Sequence, residues 1–569
     1  MSEVERSDHS STWQILRKAF SNRKTGFMLS FGIASGLPFS LFLGTLYAWL
    51  TEVEVDLETM GVFSLIGLAY AFQFLWSPII DKVDLKGFRR LGRRKQWIVP
   101  SQILIGSILL LLSMSEPSNQ NLGWFSLLAG IGALASATQD IAINAWRIDN
   151  ADEEATLDIL STVYQMGYRL AALLGGALGL VIAARIGWAN TYVIMGTILL
   201  AIGIVGIKAP DRQSNGSSNE EGSQQELRKL RQAGELTPAV RLKALVVVGS
   251  LWAAALCVIL VFMTMSLGLP AEERPDAGQF TLTWGPWIVI ATIVLPALIA
   301  GWLVAQKRDG KNVLTEDDVS TPANGIVLDH LYRALLVPLI DFVGRMGWSL
   351  VLIISLVLTY RICDAIWGSF AYPFYLGELK YSNDEVAFAS KFFGVGAIVL
   401  GLALGGFMLT LLGRMTTLTI GAILAALTNL LYADLAIGGE RMQAFSDSVG
   451  FTWLILQLPG GSAGLAKLTI TIGFENLAIG IAGAAYIAWL SSIVSKEYSA
   501  VQYALLSSLT LLVGTLGRGA LGKMIDERGY YDVFIFTTAL GSIAVVLCLF
   551  EWVRQSRASR SQLAVAEQT

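Results

Sequence analysis

The chain has 569 residues, 54% of them hydrophobic and 15% charged, with a mean hydropathy of +0.57. That is too apolar for an ordinary soluble protein and too long for one layer of helices, so the sequence reads as an integral membrane protein. A net charge of −3 gives no support for a nucleic-acid partner, and three cysteines without a pairing pattern plus two histidines outside the apolar runs suggest no disulfide framework, metal site, cofactor or catalytic grouping.

Apolar runs near the roughly 20 residues that a spanning helix needs recur about fourteen times, at approximately 27–50, 59–80, 97–114, 123–146, 161–184, 189–207, 242–266, 283–305, 348–375, 385–411, 416–436, 465–493, 501–522 and 532–553. The first is about 24 residues long and follows a polar tail, so it is expected to stay as a helix rather than be cleaved as a signal. Within that tail, Trp13 to Phe20 fits either a short surface helix or a disordered lead-in. Lys and Arg collect before the first run (Arg17, Lys18, Arg23, Lys24), after the second (Lys82, Lys86, Arg89, Arg90, Arg93, Arg94, Lys95) and after the last (Arg554, Arg557, Arg560), whereas Thr51 to Glu58 has no cation. Both termini are therefore expected in the cytoplasm.

The runs group into a tail (1–26), a six-helix half (27–207), a linker (208–241) and two inserted helices (242–305). A second linker (306–347), a second six-helix half (348–553) and a C-terminal tail (554–569) follow. Local echoes support two halves: Leu91-Gly92-Arg93-Arg94 matches Leu412-Gly413-Arg414-Met415, and Gly167-Tyr168-Arg169-Leu170 has a counterpart around Gly517-Arg518-Gly519. Asp81 with Arg93 and Arg94, echoed at Arg414, fits the loop signature of the major facilitator superfamily, which ties neighbouring helices together in one state; positive-inside charge alone is the competing explanation.

Ionisable and amide groups inside apolar runs mark a pathway, because a central charge costs about 2.5–3.5 kcal/mol on insertion scales and normally faces a bundle interior. Ser136-Ala137-Thr138-Gln139-Asp140 followed by Asn144 is one such group. Tyr360-Arg361-Ile362-Cys363-Asp364 places a cation and an anion three residues apart on one face, either as a structural ion pair or as a proton switch in which Arg361 changes partner. Glu475-Asn476 suits either proton carriage or an interhelical hydrogen bond. Arg169 and Lys391 lack partners on their own helices; they suit substrate carboxylates or pairing with another helix, such as Arg169 with Asp140. Among the aromatic residues, Tyr164 and Trp367 are the better cavity candidates and the others read as interfacial belt.

Ala34-Ser35-Gly36-Leu37-Pro38, Phe74-Leu75-Trp76-Ser77-Pro78, Gly92-Arg93-Arg94, Ala137-Thr138-Gln139-Asp140-Ile141 and Tyr168-Arg169-Leu170 occur in this order, with Asp364-Ala365, Phe474-Glu475-Asn476-Leu477 and Gln502-Tyr503-Ala504-Leu505-Leu506-Ser507 later. The set resembles the AmpG-type anhydromuropeptide permeases of the major facilitator superfamily. The resemblance implies a polytopic all-α protein of two six-helix halves, here with two inserted helices. It also implies proton-coupled import of GlcNAc-anhydroMurNAc, with or without peptide, across the bacterial inner membrane. Such import serves peptidoglycan recycling and, in some species, β-lactamase induction. Related carriers of another amphiphilic cargo such as acetyl-coenzyme A, or a non-transporting sensor, are the alternatives. Three departures stand out: Asn144 occupies a place where the family often has an acid, the extra helices lie between the halves instead of after them, and the periplasmic loop Gly438 to Gly464 is longer than the family leads one to expect.

The expected substrate wall is Gln139, Asp140, Asn144, Tyr164 and Arg169 on one side and Arg361, Lys391 and Trp367 on the other, with Asp140, Asp364 and Glu475 as proton-coupling carboxylates. Asp81, Arg93, Arg94 and Arg414 form the conformational loops. The partners expected are muropeptide, protons and membrane lipids, around a monomer without a metal.

Overall fold

The computed structural model describes residues 22–53, 69, 70, 72–115, 117, 122–211, 225, 227–268, 273, 275, 277–315, 326–361, 370, 371 and 373–566. Among these the chain is helical, with one isolated β-bridge between Leu236 and Val313. The first run is built as α1 (Arg23–Ser40), a π-helical turn (Leu41–Thr45) and α2 (Leu46–Glu52). Next come α3 (Ser77–Lys82), α4 (Lys95–Ser113), α5 (Leu122–Asn150), α6 (Leu157–Leu173), α7 (Gly179–Ile186) and α8 (Trp188–Gly206). The middle of the chain gives α9 (Pro238–Gly268), α10 (Ala277–Val289), α11 (Leu295–Arg308), α12 (Ile326–Leu335) and α13 (Val337–Met346). After it lie α14 (Ser349–Thr359), α15 (Asn383–Ala387), α16 (Gly394–Leu412) and α17 (Arg414–Ala436). The last elements are α18 (Glu440–Ser448), α19 (Phe451–Leu456), α20 (Ala463–Ser492) and α21 (Ser499–Ala566), the last broken at Gly529 where φ is +80°.

Among the described residues, 10 helices are long and apolar enough to cross a bilayer, and α13 with α14, bent by 104°, counts as an eleventh if the pair is one span. The ten coincide with ten of the expected runs. Of the other four, 59–80 and 348–375 fall partly outside the described residues, 27–50 is the interrupted α1–α2 segment, and 501–522 lies within the first part of α21.

Small residues let these helices approach. Water supplies no drive for helix association in lipid, so close backbone packing replaces it. A side chain at Gly167 would meet the Leu29 carbonyl oxygen on α1 at 2.4 Å, and one at Gly401 would meet the Leu477 carbonyl oxygen on α20 at 2.2 Å. The α1–α6 and α16–α20 contacts are thus backbone to backbone. Large apolar side chains such as Trp287 (65% exposed) and Leu298 (64%) face outward, as a lipid-facing surface requires.

Two segments expected to be loop carry helices. Within 306–347, α12 and α13 bury Tyr332, Leu336, Leu339 and Phe342, spaced three or four apart along one helical stripe. Buried Asp329 of α12 accepts from Arg241 at 2.5 Å and Arg231 at 3.1 Å, docking the segment on the start of α9. Between Gly438 and Gly464, α18 and α19 fold back on α20, sharing a hydrogen-bonded Ser446–Thr452 pair at 2.8 Å.

Candidate functional site

The glycine-tight α1–α6 contact brings Ser35 beside Tyr164. The Ser35 hydroxyl donates to Asp140 Oδ1 at 2.5 Å and shares a hydrogen bond with the Tyr164 hydroxyl at 2.8 Å, joining α1, α5 and α6. Gln139 fixes the register of α5 on α1, donating from Nε2 to the Ala34 carbonyl at 2.7 Å while its Oε1 stays buried without a partner. Asn144 donates to the Asp140 carbonyl at 2.8 Å; its Oδ1 is likewise buried and unpartnered. Five polar side chains therefore converge where the sequence placed an expensive polar interruption. Arg169 of α6 and Arg361, just past α14, both lie close enough to interact electrostatically with Tyr168, as does Asp140. Thus the expected cations of the two walls approach one tyrosine. Asp140 Oδ1 takes the Ser35 hydroxyl.

A second grouping lies on the C-terminal helices. Tyr432 of α17 donates to Glu475 of α20, and its oxygen shares a hydrogen bond with the Tyr375 hydroxyl at 2.8 Å. Of the two readings for Glu475-Asn476, Glu475 thus has an interhelical hydrogen bond, whereas Asn476 bonds back to the Ile472 carbonyl of its own helix at 2.9 Å. Lys391, expected as a buried cation, is exposed in the π-helical turn Phe388–Phe393. Asp364 and Trp367 lie outside the described residues.

The third grouping closes one end of the bundle around the basic loop. Arg94 is fully buried and donates to Asp81 at 2.7 Å, Asp149 at 2.7 Å, the Ile80 carbonyl at 3.2 Å and Ser499 at 2.9 Å. Ser499, at the start of α21, donates in turn to Asp149 at 2.8 Å, and Asp81 accepts the Val501 backbone N–H at 3.0 Å. An acid at a helix N-terminus is favoured by the orphan N–H groups and the helix dipole. Arg93 donates to the Glu497 carbonyl at 3.2 Å. Burial alone would lower the Arg94 guanidinium, but Asp149 and Asp81 outweigh it and hold it above its ordinary value; Arg93 is lowered, first by the Arg94 charge and then by burial. Behind them Asp211 accepts the backbone N–H groups of Arg94 at 2.8 Å and Lys95 at 2.9 Å, and its burial raises the carboxyl above the ordinary carboxylate range. The echoed loop does the same in reverse: Arg414 pairs with Asp158 of α6 at 2.9 Å, tying the C-terminal helices to the N-terminal ones. The expected loop residues Asp81, Arg93, Arg94 and Arg414 all sit at these inter-helix ties.

The fold and these loops agree with a sequence model of the Major Facilitator Superfamily that matches residues 26–315. The chain belongs to that superfamily. Within it, the chain is similar to AmpG-type permeases: it is 25% identical over 535 residues to the anhydromuropeptide permease of Escherichia coli (strain K12), covering 94% of this chain and 80% of that protein. AmpG 4 of Rickettsia conorii (strain ATCC VR-613 / Malish 7) is also 25% identical, over 94% of this chain and 98% of its own. Among solved structures, the proton:xylose symporter XylE bound to 6-bromo-6-deoxy-D-glucose superposes with a TM-score of 0.52 at 12% identity, covering 93% of this chain and 94% of that one. An auto-inhibited POT family peptide transporter gives 0.51 at 12% identity, covering 94% and 97%. Their likeness concerns the fold alone. The transporter is thus a multi-pass membrane protein.

Sequence reasoning missed four participants. Ser35, the bridge, looked like one small residue in a motif. Asp149 and Ser499 lie at helix ends, where polar residues carry no signal of their own. Arg147 was missed too, although it falls seven residues after Asp140, close to two helical turns and hence on the same face.

Proposed function

We propose that this transporter imports anhydromuropeptides, GlcNAc-anhydroMurNAc with or without peptide, across the bacterial inner membrane for peptidoglycan recycling, with protons as the driving ion and alternating access as the mechanism. The observation that carries the reading is the Ser35–Asp140–Tyr164 grouping, flanked by the unpartnered amide oxygens of Gln139 and Asn144, in a chain similar along 94% of its length to an anhydromuropeptide permease. Amides and tyrosines suit sugar hydroxyls and acetamido groups, and an intramembrane carboxylate suits a proton. Asp140 is the leading proton carrier, with Glu475 and Asp364 as the candidates in the C-terminal half of the sequence. The Lys and Arg distribution supports cytoplasmic termini, and with them the ties around Arg94 and Arg414 at the basic-loop end support a periplasm-facing state. Each inward proton supplies about 2.3 kcal/mol per 100 mV of membrane potential; one carboxylate on the cargo offsets that electrical term, so accumulation draws on the pH difference or on a further proton.

The test is uptake of labelled GlcNAc-anhydroMurNAc into proteoliposomes with and without an inward proton gradient. Accumulation that collapses with a protonophore is expected. Flux that ignores the gradient would remove proton coupling, binding without flux would favour a sensor, and counterflow driven by nucleotides instead of sugars would favour an acetyl-coenzyme A type of cargo.

A further inference from the structure

Arg147 of α5 is fully buried, yet little in the described structure neutralises it. Its Nη2 donates to the Ser491 hydroxyl of α20 at 2.9 Å, and its guanidinium lies 4.9 Å from the Tyr164 ring centre and 5.2 Å from that of Tyr503 on α21. Nε and Nη1 are buried with no hydrogen-bond partner, and no carboxylate pairs with the residue among those described. Contrast Arg94, equally buried, which two carboxylates, a hydroxyl and a carbonyl surround. A guanidinium carries five N–H donors in a planar fork, and burying one without an anion is strongly unfavourable. The two tyrosine faces offset part of that cost but supply no acceptor.

Position adds direction to this deficit. Asn144 and Asp140 precede Arg147 by about one and two turns on the same face of α5, and Tyr164 links the guanidinium to Ser35 and Asp140. Ser491 and Tyr503, which cover the cation, belong to the C-terminal helices, so any movement of those helices away from α5 uncovers it. We propose that Arg147 is an anion anchor on the transport path, whose open donors receive a carboxylate of the cargo as the basic-loop end opens. The identity of that anion rests on the proposed function: for an anhydromuropeptide it is the lactyl carboxylate, or the terminal carboxylate of its peptide. A carboxylate held there leaves the sugar to span the Asn144 and Gln139 amide oxygens, both of which lack a donor.

The experiment is phenylglyoxal labelling of the reconstituted full chain, with modification of Arg147 read by mass spectrometry and protection tested with GlcNAc-anhydroMurNAc, its lactyl methyl ester, lactate, phosphate and a nucleotide. Modification protected roughly tenfold by the acid and not by the ester is expected. Protection by phosphate or the nucleotide but not by the sugar acid would keep the anchor while overturning the muropeptide reading. An Arg147 that is never modified, or is modified but protected by no anion, is a structural cation and the inference fails. Binding to the purified Arg147→Gln protein separates the roles further. The acid-over-ester preference of the native chain should vanish with ester binding retained, and Arg147→Lys should restore only part of it. Equal loss of acid and ester binding in a folded variant would overturn the proposal.

Discussion

Ser499→Ala is the cleanest perturbation of the closed end. The side chain is fully buried and small, and its removal deletes two charge-assisted hydrogen bonds, from Arg94 at 2.9 Å and to Asp149 at 2.8 Å, without opening a sizeable cavity. Hydrogen bonds to charged groups are worth about 1.5–3 kcal/mol each. Arg94 keeps Asp81, Asp149 and the Ile80 carbonyl, and Asp149 keeps Arg94, so the loss is nearer that of one such bond than of two, about 1.5–3 kcal/mol. Only a conformer with α21 seated on the basic loop makes these bonds, so the loss falls on the closed state alone. At about 1.4 kcal/mol per tenfold, the closed-to-open ratio should fall at least tenfold. Spin labels at Arg90→Cys and Lys496→Cys, both exposed positions flanking the tie, report that ratio as a distance distribution in nanodiscs once Cys257, Cys363 and Cys548 are replaced by Ser. A distribution unchanged by Ser499→Ala in a folded protein would refute the view that these bonds hold the end shut.

Three other outcomes follow from the same geometry. Arg414→Ala should shift that ratio far less, because the Arg414–Asp158 pair is partly exposed (32% and 20%) and pairs of this kind are worth at most about 1 kcal/mol; a double-mutant cycle with Asp158→Asn measures it. Asp140→Asn should abolish the dependence of uptake on the proton gradient while counterflow persists, since the amide still accepts from Ser35 but holds no exchangeable charge; gradient-driven accumulation by the variant would exclude Asp140 as proton carrier. The hydrogen bond from Lys24 holds the Asp152 carboxyl below its ordinary range, so its stabilisation is present above the unfolded pKa and disappears as pH falls through the folded one. Asp152→Asn should therefore cost less than about 1 kcal/mol at pH 7 and nothing near pH 2, read as thermal unfolding in detergent at low salt.

The helices themselves were legible in the sequence because the bilayer allows few solutions: a backbone in lipid must satisfy its own hydrogen bonds, so each long apolar run becomes a helix. Polar interruptions were legible for the same reason, and Gln139, Asp140, Tyr164 and Glu475 are interior residues with partners on other helices. The linker helices were harder to see, since α12 and α13 are amphipathic rather than apolar and their stripe has meaning only against α9.

By itself the sequence determined the membrane class, the order and length of most spans, the basic loops and the polar stretch of α5, all of which follow from local composition and period. Partners were decided only by the tertiary structure. Helical periodicity gives the face on which a side chain lies but not what that face meets. Arg94 and Arg147 are both arginines beside polar runs, yet one is ringed by carboxylates while the other lies between two tyrosines with donors to spare. That difference arises from residues several hundred positions away, Ser491, Ser499 and Tyr503, which the packing of α20 and α21 against α5 brings into contact.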